Sequence, residues 1–134
     1  MILVDANVLI DIFSSDVTWS AWSEAALADA ADREDVAINP IIYAEISVGF
    51  ADERPLAEAL DQMGAKRLDL PYEAGFIAGE AFLEYRRRGG VRTSPLPDFY
   101  IGAHAAVSGL SLLTRDPRRY QSSFPAVRMI APEG

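Results

Sequence analysis

Ile2-Leu3-Val4-Asp5-Ala6-Asn7-Val8-Leu9 opens the chain and decides how the rest is read. A short β-branched apolar run is the mark of a buried strand. Here it stops at a carboxylate, Asp5, the only charged side chain in the first ten residues. Asn7 then stands where it can cap a short helix through Val8, Leu9, Ile12 and Phe13. Strand, acid and helix in immediate succession make the first step of an α/β chain with an acid at a strand's carboxyl end. In open parallel sheets that is the end where ligands bind.

The same alternation continues outward. Val36-Ala37-Ile38 predicts a second strand, and Asn39-Pro40 an N-cap with a first-turn proline for a helix from Ile41 to about Phe50. Between these strands, Thr18 opens an Ala-rich helix to about Asp32, with Trp19, Trp22 and Ala26 on one side. A helix from Asp52 places Leu56, Leu60 and Met63 toward the core and ends at Gly64. Arg67 to Leu70 is a strand, and Pro71 begins a longer helix on which Phe76, Gly79 and Leu83 share a face, the glycine allowing close approach. Gly89-Gly90 stops it. After a Thr93–Pro97 loop, a helix runs from Asp98 to about Ser108. Leu110–Thr114 and Val127–Ile130 are the last strands, with an Asp116-Pro117 turn between them. Short apolar strands alternating with helices predict a parallel sheet covered on both faces, an α/β sandwich. The 134 residues fit one domain spanning 1–134, long enough to remove about two thirds of its unfolded surface from water.

Composition narrows the chemistry. With no Cys there is no disulfide framework, thiol nucleophile or Cys-ligated metal, and the 1 His leaves little room for a histidine-rich zinc site. Carboxylates, 20 against 12 Lys plus Arg, must carry most of the chemistry. Residues 1–64 hold 13 acids and 2 bases, whereas residues 65–134 hold 7 acids and 10 bases. A net-acidic chain binds nucleic acid poorly in a nonspecific way, but its Arg-rich second half can still meet a polyanion or a partner. Neither a signal peptide nor an apolar membrane span is evident, so the expected compartment is the cytoplasm.

Four acids sit in apolar surroundings. Besides Asp5, Glu45 is the only charge from Val36 to Ala51, Asp98 the only one from Thr93 to Thr114, and Asp116 follows the Leu110–Thr114 strand with only Arg115 between. Each has an ordinary reading by itself. Asp98 can cap a helix, Glu45 can pair with an arginine, Asp5 can cap the Asn7 helix, and Asp116 before Pro117 can start a turn. Four such acids in four apolar segments are harder to dismiss, because charged side chains are rarely buried unless paired or metal-bound. Brought together, two carboxylates about 4 Å apart repel by about 4 kcal/mol at an effective dielectric near 20. All-oxygen ligands select a hard ion, Mg²⁺ or Mn²⁺. Two such ions about 4 Å apart can activate water against a phosphodiester.

Other polar residues read more plainly. His104 lies about 240° around the helix from Asp98 and is expected to pack rather than ligate. Asp11 is expected to be solvated or capping, and Arg86, Arg87 and Arg88 to suit a helix C-terminus. Trp19 and Trp22 read as core, although their helix offers a groove to a partner helix. Arg115, Arg118 and Arg119 flank Asp116 and are expected to contact phosphate or a protein partner. A receiver-type signalling domain also clusters acids at strand ends, but it needs a lysine after a late strand, and the only lysine here is Lys66.

The four acid segments resemble, in order, the motifs of PIN-domain ribonucleases, particularly VapC-type toxins of toxin–antitoxin pairs. Val4-Asp5-Ala6-Asn7-Val8-Leu9 is similar to the family's opening Asp-x-Asn motif, and Tyr43-Ala44-Glu45-Ile46 to the segment with its internal glutamate. Leu96-Pro97-Asp98 through Ala105 resembles its Asp-x-x-Ile-Ala-Ala segment, and Leu112-Leu113-Thr114-Arg115-Asp116 through Tyr120 its Thr-x-Asp ending. Gly102 stands where the family often has Ala, and Tyr120 where it usually has Phe. The resemblance implies a PIN-like α/β/α sandwich with a short, mostly parallel sheet. It also implies a Mg²⁺-dependent endoribonuclease, with Mn²⁺ as substitute, held in check by an antitoxin. The catalytic acids would be Asp5, Glu45, Asp98 and Asp116, with Asp5 and Asp98 holding the principal metal and Asn7 and Thr114 supporting them. The expected partners are RNA, an antitoxin, and a second copy in a homodimer or toxin–antitoxin hetero-oligomer, with no membrane. The alternative is a non-catalytic PIN-fold binding protein acting in a DNA-bound regulatory complex.

Overall fold

The computed structural model describes residues 1–89 and 96–133. Five strands form one sheet: β1 (Ile2–Val4), β2 (Val36–Ile38), β3 (Lys66–Arg67), β4 (Ser111–Leu113) and β5 (Met129–Ile130). Their order is β3-β2-β1-β4-β5 and every pairing is parallel. The expected short parallel sheet is therefore present, and β1 lies at its centre. Leu3 pairs with Ala37 on one side and Leu112 on the other. β1, β2 and β4 are almost wholly apolar because helices cover both faces.

The helices among the described residues are α1 (Ala6–Phe13), α2 (Ser20–Arg33), α3 (Pro40–Ser47), α4 (Glu53–Met63), α5 (Tyr72–Arg87), α6 (Leu96–Ser108) and α7 (Arg118–Gln121). This is an α/β/α sandwich. The main core joins Ile2, Leu3 and Val4 to Leu9, Ile42, Ile46, Leu56, Leu60 and Ile101. Local signals act as the sequence suggests at several ends. Asn39 accepts a hydrogen bond from Ile42 N at 2.9 Å and Pro40 occupies the first turn of α3. Gly64 closes α4 at φ +66, a conformation only glycine adopts cheaply.

Some expectations are corrected. Asn7 does not cap α1: the extended residue before that helix is Asp5, which makes no side-chain cap bond. The face of α5 bearing Phe76 and Leu83 is exposed, at 75% and 50%, and a Cβ at Gly79 would touch nothing. α5 buries Ala74 and Ala78 instead, in a second core with Phe99, Ala103 and Phe124. The helical spacing is right, but the face turned to α6 is the one with Ala74 and Ala78, flanked by Phe82 and Tyr85 against the Phe99 ring. The third and fifth strands are shorter than expected, and α6 begins at Leu96, two residues before Asp98. After the Asp116-Pro117 turn comes a one-turn helix, α7, which the sequence reading missed. Gly90 and residues 93–95 of the expected loop lie outside the described residues. Gly102 has a packing cause: a Cβ there would lie 2.3 Å from the Phe124 ring.

Candidate active site

Three elements deliver acids to the carboxyl end of the central strands. β1 ends in Asp5, β4 runs through Thr114 to Asp116, and α6 carries Asp98 in its first turn. α3, entered from β2, brings Glu45. The electrostatic coupling of Glu45 with Asp5 and Asp98, and of Asp98 with Asp116, places all four acids in one neighbourhood.

Asp5 is 2% exposed and held on one oxygen by two donors. Thr114 Oγ1 donates to Asp5 Oδ2 at 2.9 Å, and the Tyr120 hydroxyl donates to the same oxygen at 2.8 Å. Thr114 is itself fixed by Asn7 Nδ2 at 3.3 Å and by the Asp116 N–H at 3.0 Å. Asn7 completes the link by accepting from the Arg115 N–H at 3.2 Å. Asn7 and Thr114 thus tie β1 to the segment after β4 and aim Asp5. The Tyr120 hydroxyl was missed as a site group. Its signal was the tyrosine itself, where the resembling family usually has phenylalanine.

Burial raises the pKa of Asp5, against the lowering effect of Tyr120 and Thr114. Asp98, 4% exposed, is also raised, first by burial and then by Asp5 and Asp116, with Arg119 opposing. Glu45 is pushed up to about 7 by burial and by the charges of Asp5 and Asp98. Its Oε1 is a buried oxygen without a hydrogen-bond partner. In a folded protein such an atom calls for an explanation.

The three arginines expected near the site separate. Arg119 lies among the acids, with Nε on Asp116 Oδ2 at 3.0 Å and Nη1 3.7 Å from Asp98 Oδ1. Burial lowers its pKa, but Asp98 and Asp116 outweigh that and raise it overall. Arg115 is engaged elsewhere: it grips Asp11 through two hydrogen bonds of 2.8 and 3.0 Å and lies over the Trp19 ring. Asp11, expected to be solvated or capping, is buried in that pair. Arg118 is exposed on α7. His104 packs as expected, its Nδ1 3.0 Å from Asn39 Nδ2. Because the Asn39 oxygen already accepts from Ile42, its NH₂ faces the ring, and Nδ1 must be the unprotonated nitrogen. Burial lowers the His104 pKa in keeping with that neutral form.

The donors are all oxygens, and one of them, Glu45 Oε1, is buried without a hydrogen-bond partner, a chemistry that suits a hard divalent ion. As the side chains stand, no group of three or more His, Asp or Glu among the described residues could hold one. Among the described residues the cation in the cluster is Arg119.

A family model described as PIN domain matches residues 2–124. The chain belongs to the PIN-domain family. Solved structures agree on the PIN fold. VapBC2 from Rickettsia felis, bound to a promoter DNA fragment, matches at TM-score 0.72 and 20% identity, covering 98% of both chains. DNA-bound VapBC from Salmonella typhimurium matches at 0.72 and 21%, covering 97% of this chain and 96% of that one. VapBC-1 from nontypeable Haemophilus influenzae matches at 0.74 and 16%, covering 98% of both. No curated protein matches the sequence. Among the described residues no helix of this PIN domain is long and apolar enough to cross a membrane.

Proposed function

We propose that this PIN domain is a Mg²⁺- or Mn²⁺-dependent endoribonuclease, the toxin of a VapC-type toxin–antitoxin pair working in the cytoplasm. The observation that carries this reading is the surplus of negative charge at the sheet's carboxyl end. Among the described residues, Asp5, Glu45, Asp98 and Asp116 share one arginine, and Glu45 keeps a buried oxygen unsatisfied. Such a cluster costs stability without a counter-charge, so a structural role explains it poorly.

In this reading Asp5 and Asp98 would hold the principal metal, and Glu45 and Asp116 would complete the oxygen set. A bound divalent ion would supply polarisation of a water and positive charge for the leaving oxygen. The protein's own residues do the rest. Thr114 and Tyr120 fix the Asp5 carboxylate, and Asn7 fixes Thr114, so that the acid does not reorient as charge moves. Glu45, with its buried Oε1 unpartnered, would hold the attacking water in place. Arg119, held between Asp98 and Asp116, would be the cation that meets the substrate phosphate.

The test is end-labelled total RNA incubated with antitoxin-free protein in Mg²⁺, in Mn²⁺ and in chelator, beside Asp98→Asn. Discrete metal-dependent cuts that vanish in the variant are expected. Absence of cutting by folded protein in either metal overturns the reading. One observation favours a second reading, since two of the matching VapBC assemblies are DNA-bound. In that case the chain would act with its antitoxin in a regulatory complex on DNA without needing turnover.

A further inference from the structure

Beside the acid cluster the sheet carries a second feature at the same end. A cavity of about 320 Å³ opens where β2 and β3 finish, lined by Asn39, Tyr43, Glu53, Arg67, Leu68 and Asp69 among others. The size is at the small end of ligand sites. Its chemistry is unusual for an idle surface hollow. The Arg67 guanidinium lies over the Tyr43 ring, 5.2 Å from the centroid. It does so although two carboxylates, Glu53 and Asp69, line the same hollow, and neither forms an ion pair or hydrogen bond among the described residues. A stacked cation and two acceptor groups without partners are thus presented together.

Register places this hollow next to the acids. Leu3 pairs with Ala37 and Ile38 with Arg67, so Asp5, Asn39 and Leu68 follow as the next residues along the rim. Adjacent strands are about 4.8 Å apart, which puts the hollow roughly 5–10 Å from the end of β1. That is the reach of one or two nucleotides. Asn39, in its wall, also holds His104 of α6, the helix that carries Asp98. Hollow and acids therefore belong to one rigid frame.

We propose that this hollow is a nucleobase pocket for the residue flanking the scissile phosphate, selective for guanine. The inference rests on the nuclease reading. Single-stranded RNA is gripped by stacking bases on aromatic rings and guanidinium planes, and the Tyr43–Arg67 pair is such a platform. Carboxylates only accept hydrogen bonds. Guanine offers adjacent N1–H and N2–H donors that Asp69 or Glu53 can take together. Uracil presents one N–H between two carbonyl oxygens, which a carboxylate repels. The occupied pocket would set the base at a fixed offset from the cut.

The experiment reads binding and cutting separately. Guanosine monophosphate, uridine monophosphate and inorganic phosphate are titrated, in chelator, into ¹⁵N-labelled full-length protein. The nuclear magnetic resonance signals of Tyr43, Arg67, Leu68 and Asp69 are followed. The guanine nucleotide should shift them with at least tenfold tighter binding than the uracil nucleotide, while phosphate alone should leave them unmoved. Arg67→Ala and Asp69→Asn, both at exposed positions, should each weaken guanine binding about tenfold. In cleavage mapping with Mg²⁺ the wild type should show guanine at one fixed position beside the cut, and both variants should keep cutting with that bias lost. Equal binding of the two nucleotides, or variants with unchanged binding and cut sites, overturns the pocket and leaves the nuclease intact. Guanine-selective shifts lost in Arg67→Ala, from a wild type that cuts no RNA, uphold the base site and overturn the nuclease reading. Shifts caused equally by inorganic phosphate reveal an anion site and overturn the base assignment.

Discussion

Two aspartates six residues apart, Asp5 and Asp11, are equally buried and have opposite meanings. Asp11 is 1% exposed and meets a matched set of donors: two from Arg115 and one from Ser23 Oγ at 2.8 Å. One negative charge faces one positive charge, and Trp19 covers the guanidinium. Asp5 is 2% exposed and has only neutral donors: Thr114 and Tyr120 on one oxygen, and the Ala6 backbone N–H. Its neighbours Glu45 and Asp98 add charge of the same sign, and Arg119 serves Asp98 and Asp116 together. Burial alone does not separate a structural acid from a chemical one. The balance of charge and donors does.

The sharpest way to break the comparison is to neutralise one acid in each region. Asp98→Asn removes a charge from a site with too many. Cleavage should fall by at least about 10³-fold, the scale for removing a preorganised electrostatic group, or about 4 kcal/mol of transition-state stabilisation. Thermal unfolding in chelator should show the fold retained, because repulsion from Asp5 and Asp116 is relieved. Asp11→Ala does the reverse. It leaves Arg115 partly buried without its partner, and denaturant unfolding should show a loss of about 3 kcal/mol, the low end for a broken buried pair because Arg115 keeps some solvent. Correcting for the folded fraction, metal-dependent cleavage should be nearly unchanged. If Asp11→Ala abolishes cleavage in fully folded protein, the two regions are not distinct.

How much of this the sequence shows follows from the same physics. β1, β2 and β4 are legible because a strand buried on both faces must be continuously apolar, and the acids stand out against that background. The four acids can be picked out for the same reason, and the structure gathers them at one end of the sheet. Asp11 is misread because its partner Arg115 is 104 residues away; nothing local distinguishes a satisfied acid from a solvated one. Asn7 is misread as a cap because its bonds run across the sheet to Thr114 and Arg115. The exposed face of α5 is misread since periodicity reveals that a helix has an apolar stripe, not whether that stripe faces the core. α7 spans only four residues and leaves no periodic trace.

A gentler change sharpens the contrast inside the acid cluster. Tyr120→Phe keeps the buried ring and deletes one of the two side-chain donors on Asp5. That donor lowers the Asp5 pKa, so without it the ionised carboxylate is harder to maintain. Supporting donors around metal-binding carboxylates are worth 10- to 100-fold. The low end applies here, because Thr114 still holds the same oxygen. About a tenfold weakening of Mn²⁺ binding, measured by calorimetry, is expected, with a matching fall in cleavage at subsaturating metal. An unchanged affinity would show that Thr114 and the Ala6 N–H suffice to orient Asp5.

The smallest effect concerns pH, and it arises within the acid cluster. Glu45 has a folded pKa of about 7 against an ordinary value of 4.5. Between these values the folded chain binds more protons than the unfolded chain, so stability falls as pH rises through that window. The raised pKa values of Asp5 and Asp98 act in the same direction. His104 opposes them below its ordinary 6.5, because its folded pKa is lowered and stability there rises with pH. The clean interval therefore begins near 6.5. In chelator, Tm should drop by a few degrees from pH 6.5 to 8, the size being limited because Glu45 is only partly buried and solvent screens part of its charge. Glu45→Gln should flatten the slope, and Mg²⁺ at pH 8 should restore the wild-type Tm by binding only the folded state. A wild-type Tm that stays level or rises over this interval would mean that Arg119 already neutralises the cluster, and the surplus charge on which the metal reading depends would be absent.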